Sequence, residues 1–131
     1  MNKITEVIDY LQAAGVMYIS TFDGQKPKVR PIGFVMEFDG QAFFTTATDG
    51  PIYNELQINP YLEIATMHPE KSFHRIRFSG KAVFDATPAA FEKYFEYNPD
   101  LRGVPNINLY RVDEWKAIIY EGFQDKKIIT M

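Results

Sequence analysis

Residues 28–46 read KVRPIGFVMEFDGQAFFTT, and the reading of this stretch decides the fold. Lys28 to Phe38 is rich in β-branched and aromatic side chains and reads as a long strand, and Gln41 to Thr46 reads as a second. Between them stands Asp39-Gly40, a two-residue signal for a tight hairpin turn. The two strands are therefore expected to pair antiparallel. Side chains on a strand alternate between faces, which places Arg30 on one side with Ile32, Phe34, Met36 and Phe38.

Working outward, Ile4, Val7, Ile8 and Leu11 follow a helical period, with Asn2 as cap and Gly15 as stop. Val16 to Phe22 then reads as a strand closed by the turn Asp23-Gly24. Beyond the hairpin, Pro51 to Asn59 is a short helix with proline suited to its first turn. Tyr61 to Met67 and Phe73 to Phe84 are strands. Thr87-Pro88 caps and opens a third helix through Tyr97. Ile107 to Val112 and Trp115 to Glu121 form a closing pair, and Lys127 to Thr130 a terminal extension. The pattern gives a single domain, 1–131, of mainly β class. Six main strands with helices at three corners are expected to close into a small antiparallel barrel.

Composition narrows the function. A formal net charge of −3 lacks the basic footprint of a general nucleic-acid binder. The chain has no cysteine, which removes disulfides, thiolate catalysis and cysteine metal sites and fits a reducing cytoplasm. No apolar run approaches the roughly 18 residues a membrane span needs, and no signal peptide is visible. His68 and His74 are the only histidines and belong to no spaced ligand set, so no metal site is expected. No nucleophile elbow, dinucleotide fingerprint or P-loop occurs. Eleven Phe, eight Tyr and one Trp favour strands and ring-lined cavities.

Three segments carry candidate chemistry. Arg30 leads an apolar strand face, so it either snorkels at a strand end or meets a phosphate or carboxylate with its guanidinium fork. Thr45-Thr46-Ala47-Thr48-Asp49-Gly50-Pro51 runs from a strand into a helix start, where hydroxyls and free amides make an anion seat. Pro51 removes one donor there and Asp49 carries the wrong charge. Arg75, Arg77, Ser79 and Lys81 alternate onto one strand face. That stripe is a solvated edge, or else it faces an anionic ligand or an acidic patch on a second subunit.

In this order the segments resemble the pyridoxamine 5'-phosphate oxidase-like FMN-binding split barrels, in particular the bacterial branch of general stress protein 26-like and nitroimidazole-resistance-like proteins. The resemblance runs through Gly15-Val16-Met17-Tyr18-Ile19-Ser20-Thr21, Arg30-Pro31-Ile32-Gly33-Phe34, Phe43-Phe44-Thr45-Thr46, Asn59-Pro60 and Arg77-Phe78-Ser79-Gly80-Lys81-Ala82. It covers essentially the whole chain. It implies a six-stranded antiparallel split β-barrel with short flanking helices, acting as a homodimer with FMN at the subunit interface.

The implied cofactor-binding set begins with Arg30, Pro31 and Ile32 beside the phosphate and flavin. Thr45 and Thr46 line the cofactor, and Ala47 and Thr48 lead into the phosphate loop. Arg75 and Arg77 stand as compensating cations, and the strand around Trp115 reaches the cofactor of the other subunit. The sequence departs from the family where a Ser/Thr-Arg/Lys-Lys run is common and Asp49-Gly50-Pro51-Ile52 stands instead. The activity implied is that of an FMN-dependent oxidoreductase with electrons supplied by a reduced nicotinamide. The alternative is a non-catalytic split barrel that has lost tight FMN binding. Vitamin B6 oxidation is not expected, since the chain lacks the longer C-terminal region of those enzymes.

Overall fold

The computed structural model describes residues 2–131. Helix α1 (Lys3–Ala14) precedes β1 (Met17–Phe22), β2 (Pro27–Ile32), β3 (Val35–Phe38) and β4 (Gln41–Ala47). Helix α2 (Pro51–Ile58) follows, then β5 (Tyr61–Met67), β6 (His74–Phe84), α3 (Pro88–Tyr97), β7 (Ile107–Glu121) and β8 (Lys126–Thr130). All strand pairs are antiparallel, in the order β2-β1-β5-β6-β7-β4-β3, with β8 on the remaining edge of β7. Among the described residues no helix is long and apolar enough to cross a membrane.

The described residues form eight strands where six main strands were expected, and two of the expected strand boundaries differ. Lys28 to Phe38 is not one strand. It breaks at Gly33-Phe34, after which β2 pairs with β1 while β3 pairs with β4 at the opposite end of the sheet. Arg30 and Ile32 therefore do not share a face with Phe34, Met36 and Phe38, which pack into a separate cluster under α3. Conversely, the expected closing pair is one continuous strand, β7, that bends at Glu114 (φ 49°) without ending.

The break at Gly33 also closes the barrel. Seven strands laid flat would set β2 and β3 about 29 Å apart at the usual inter-strand spacing. Three Cα steps from Ile32 to Val35 span at most about 11 Å. The sheet must therefore curl until its two ends meet, leaving a seam between β2 and β3.

Two apolar clusters fill the structure. The larger lies inside the curl, where Met17, Ile19, Ile64, Ile76, Phe78, Phe44, Tyr110 and Trp115 meet the apolar face of α1. The smaller lies on the other side of β3, β4 and β7, where Met36, Phe43 and Leu109 are covered by Ala90 and Tyr94 of α3. The hairpin turn predicted at Asp39-Gly40 is present, with both residues at positive φ (53° and 73°), the backbone such a two-residue turn demands.

Candidate functional site

The site begins with α2. Its N-cap is Gly50, which has no side chain to satisfy the first amides, and Pro51 occupies the first turn. The first intrahelical bond runs from the Asn54 N–H to the Gly50 carbonyl at 3.3 Å, leaving the Ile52 and Tyr53 amides ahead of the ladder. These amides and the helix dipole favour an acceptor or an anion at this end.

Against that helix start lies a cleft of about 170 Å³ formed by Arg30, Thr46 and Ala47 with Gly50, Pro51, Ile52 and Tyr53. It joins β2, β4 and α2, elements that only the curled sheet brings together. Thr46 is buried, and its hydroxyl has no partner among the described residues. Asn108, its register partner on β7, is also buried with an unpartnered amide nitrogen. Buried polar atoms are normally satisfied, so two adjacent orphans beside a cleft suit a ligand with hydroxyl or carbonyl groups.

Arg30 neither snorkels to solvent nor stands free. Its Nη2 donates to Glu55 Oε2 at 2.5 Å and its Nη1 to Thr21 Oγ1 at 3.2 Å. The Thr21 hydroxyl donates in turn to Glu55 Oε1 at 3.1 Å. Glu55 and Thr21 are 5% and 2% exposed, so the acidic half of this triad is internal.

The structure thus gathers Arg30, Thr46 and Ala47 into one cleft. Ile32 packs on the larger core nearby, while Pro31 points to the opposite, exposed face of β2. Thr45 faces away from Thr46 across β4, and Thr48 turns to Asn106, bonding its carbonyl with N–H and its side-chain oxygen with Oγ1. Asp49 is exposed and is not among the residues forming the cleft.

Arg75 and Arg77 belong elsewhere. They line a shallow groove of about 370 Å³ on the outer face of β1, β5 and β6, with Tyr18, Ala65, Thr66, Met67 and Ile76. Arg75 lies 3.9 Å over the Tyr120 ring. Arg77 is bonded to Glu63, an interaction that raises its already high pKa. Trp115 is packed within the larger core against Phe78 and lines neither the cleft nor the groove. Thr21, Glu55 and Asn108 were not legible as site residues. The one available signal was Glu55 beside Leu56, a carboxylate next to the buried position of a short helix.

Among the described residues no group of three or more His, Asp or Glu is placed to hold a metal ion. A larger surface cavity, about 570 Å³, lies between β3 and α3 and is lined chiefly by Glu37, Asp39, Glu92 and Glu96 with Lys93. It is acidic and contains none of the predicted residues. The smaller cleft is the better candidate because an unpartnered hydroxyl and a helix start meet there.

No protein-family model and no curated protein matches the chain. Solved structures do. The chain is similar to a NimC/NimA family protein from Clostridium acetobutylicum, with a TM-score of 0.88 at 21% identity, covering 98% of this chain and 92% of that one. It is similar to a pyridoxamine 5'-phosphate oxidase-related, FMN binding protein from Nostoc punctiforme, with a TM-score of 0.68 at 16% identity over 98% and 94% of the two chains. It is also similar to a heme binding protein from Mycobacterium smegmatis, with a TM-score of 0.76 at 12% identity over 99% of this chain and 58% of that one. Over nearly its whole length the chain has the split-barrel fold of the pyridoxamine 5'-phosphate oxidase-like and NimC/NimA proteins.

Proposed function

We propose that the chain is an FMN-binding protein of this fold, acting as a flavin-dependent oxidoreductase in the cytoplasm. The observation that carries the reading is the cleft at the start of α2, where Arg30 and Thr46, whose hydroxyl has no partner among the described residues, lie beside the first residues of the helix. These groups fit the polar arm of a flavin: a hydroxyl of the chain finds Thr46, and the terminal group finds the helix start. Bound flavin would supply the redox chemistry, taking electrons from a reduced nicotinamide and passing them to an acceptor. The protein's own residues bind and orient it.

The functional unit in this reading is a homodimer that pairs through the outer face of β1, β5 and β6. Tyr18 and Met67 stand at least half exposed in the groove with Arg75 and Arg77, and Tyr61 is exposed at the other end of β5. Large apolar side chains clustered with arginine are the composition of an interface core. The competing reading is a barrel that binds without catalysing, and it is favoured by the engagement of Arg30 with Glu55.

An absorbance spectrum of purified protein, titrated with FMN and then with reduced nicotinamide, tests the proposal. Bound flavin that bleaches on reduction supports it. Bound flavin that no nicotinamide reduces favours the non-catalytic barrel, and a protein that takes up no flavin overturns both. Sedimentation at micromolar concentration tests the dimer, and a monomer refutes it.

A further inference from the structure

Among the described residues Arg30 is the one cationic side chain lining the cleft, and it is already taken. Both of its terminal nitrogens are bonded, one to a carboxylate oxygen of Glu55 at 2.5 Å and one to Thr21 at 3.2 Å. Thr21 locks the arrangement by donating to the other oxygen of the same carboxylate. Drawing Arg30 away would strand a buried carboxylate, a costly outcome. A phosphate entering the cleft therefore competes with Glu55 for the same guanidinium.

The remaining side chains carry no formal positive charge, and the helix start offers amide hydrogen bonds and a partial charge only. Thr46 Oγ1 and Asn108 Nδ2 are unpartnered and uncharged, Pro51 has no amide hydrogen, and the loop beside them carries the acidic Asp49. The net charge available to an incoming anion, counting Arg30 with Glu55, is close to zero.

We propose that Glu55 is the charge-specificity determinant of the cleft. It cancels Arg30, so that the cleft favours an uncharged, hydroxyl- or carbonyl-bearing ligand arm and draws little affinity from a phosphate dianion, which meets only the helix start. This rests on the flavin reading for the identity of the ligand. On that reading FMN binds through its ring and ribityl chain, and its phosphate adds little.

The experiment compares wild type with Glu55→Gln, which keeps the side-chain shape and one acceptor oxygen for Arg30 and removes the charge. Each is titrated at low salt with FMN and with riboflavin by fluorescence quenching, and separately with inorganic phosphate while the Arg30 Nε resonance is followed by ¹⁵N NMR. Wild type should bind FMN no more than about threefold tighter than riboflavin. Glu55→Gln should bind FMN at least about tenfold tighter than wild type does, the worth of one charge-assisted contact, with riboflavin affinity changed less than about threefold. The Arg30 resonance should respond to phosphate at lower concentration in the variant. Wild type binding FMN tenfold tighter than riboflavin overturns the proposal, and this ratio decides even where Glu55→Gln does not fold. Equal gains for both flavins in the variant, or identical phosphate responses of Arg30 in the two proteins, overturn it as well. Absence of flavin binding together with separated phosphate responses sinks the flavin reading and upholds the role of Glu55.

Discussion

Gly80 on β6 lies so close to Val112 on β7 that a Cβ at position 80 would come within 2.5 Å of Val112 Cγ1 and 2.8 Å of the Asp113 carbonyl oxygen. The register of the two strands shifts at this place, between Ser79 and Lys81, and Glu114 takes up positive φ just beyond it. The missing side chain lets β7 press onto β6 as it bends. Gly80→Ala should cost about 1–3 kcal/mol of stability through overpacking, read as a lowered midpoint in denaturant. Adding Val112→Ala should recover only part, since the backbone oxygen stays. A fully stable Gly80→Ala would show that β7 can move away freely.

Arg30 and Glu55 should behave as a unit. Arg30→Met leaves the Glu55 carboxylate buried without its partner and should destabilise by about 3 kcal/mol, the lower end for breaking a buried pair because Arg30 is partly exposed. Arg30→Met combined with Glu55→Met should be markedly milder than the single change. Additive losses in chemical denaturation would mean that the two side chains act independently.

Thr46 separates ligand binding from stability. Its hydroxyl bonds nothing among the described residues, so Thr46→Val should leave stability unchanged or raise it by about 1 kcal/mol. Flavin affinity should fall by about fivefold or more, as one neutral hydrogen bond is lost. Should stability fall while affinity holds, the hydroxyl serves the fold.

Asp23 sets a pH response at the β1–β2 turn. Its carboxylate accepts the Lys26 N–H at 2.7 Å and the Gln25 N–H at 2.8 Å, and these bonds hold its pKa below the usual range. A depressed folded pKa contributes stability that is fully present above the ordinary aspartate value and is lost as pH falls through the folded value. The NMR titration of Asp23 should therefore have its midpoint below about 3.9, with the Gln25 and Lys26 amides shifting together with it. A midpoint at or above that value would break the assignment. Asp23→Asn should remove this part of the acid dependence.

What the sequence revealed follows how local each feature is. Asp39-Gly40 needs only its own two residues to set positive φ, and α1 needs only its four spaced apolar residues, so both were legible. The break at Gly33 was not, because the run from Val29 to Phe38 is apolar enough to continue as a strand. What divides it is the choice of partner, β1 for one half and β4 for the other. The same limit explains the cleft. Arg30 announced a need for an anion, but its partner Glu55 lies 25 residues away on a helix whose own pattern gives no reason for a buried acid. Asn108 became visible only through its register with Thr46.

The place of β7 also governs the order of events as the chain is made. It is the strand that joins β6 to β4, and without it the sheet falls into two pieces, β2-β1-β5-β6 and β4-β3. A nascent chain that has left the ribosome only as far as Tyr97 therefore holds every strand but the last two and still cannot assemble its sheet. Until residues 107–121 emerge, the edge of β6 and the edge of β4 stay unpaired, each a template for a neighbouring chain. Completion of the barrel waits on β7 by topology, and the interval before it is when the unpaired edges are most open to other chains.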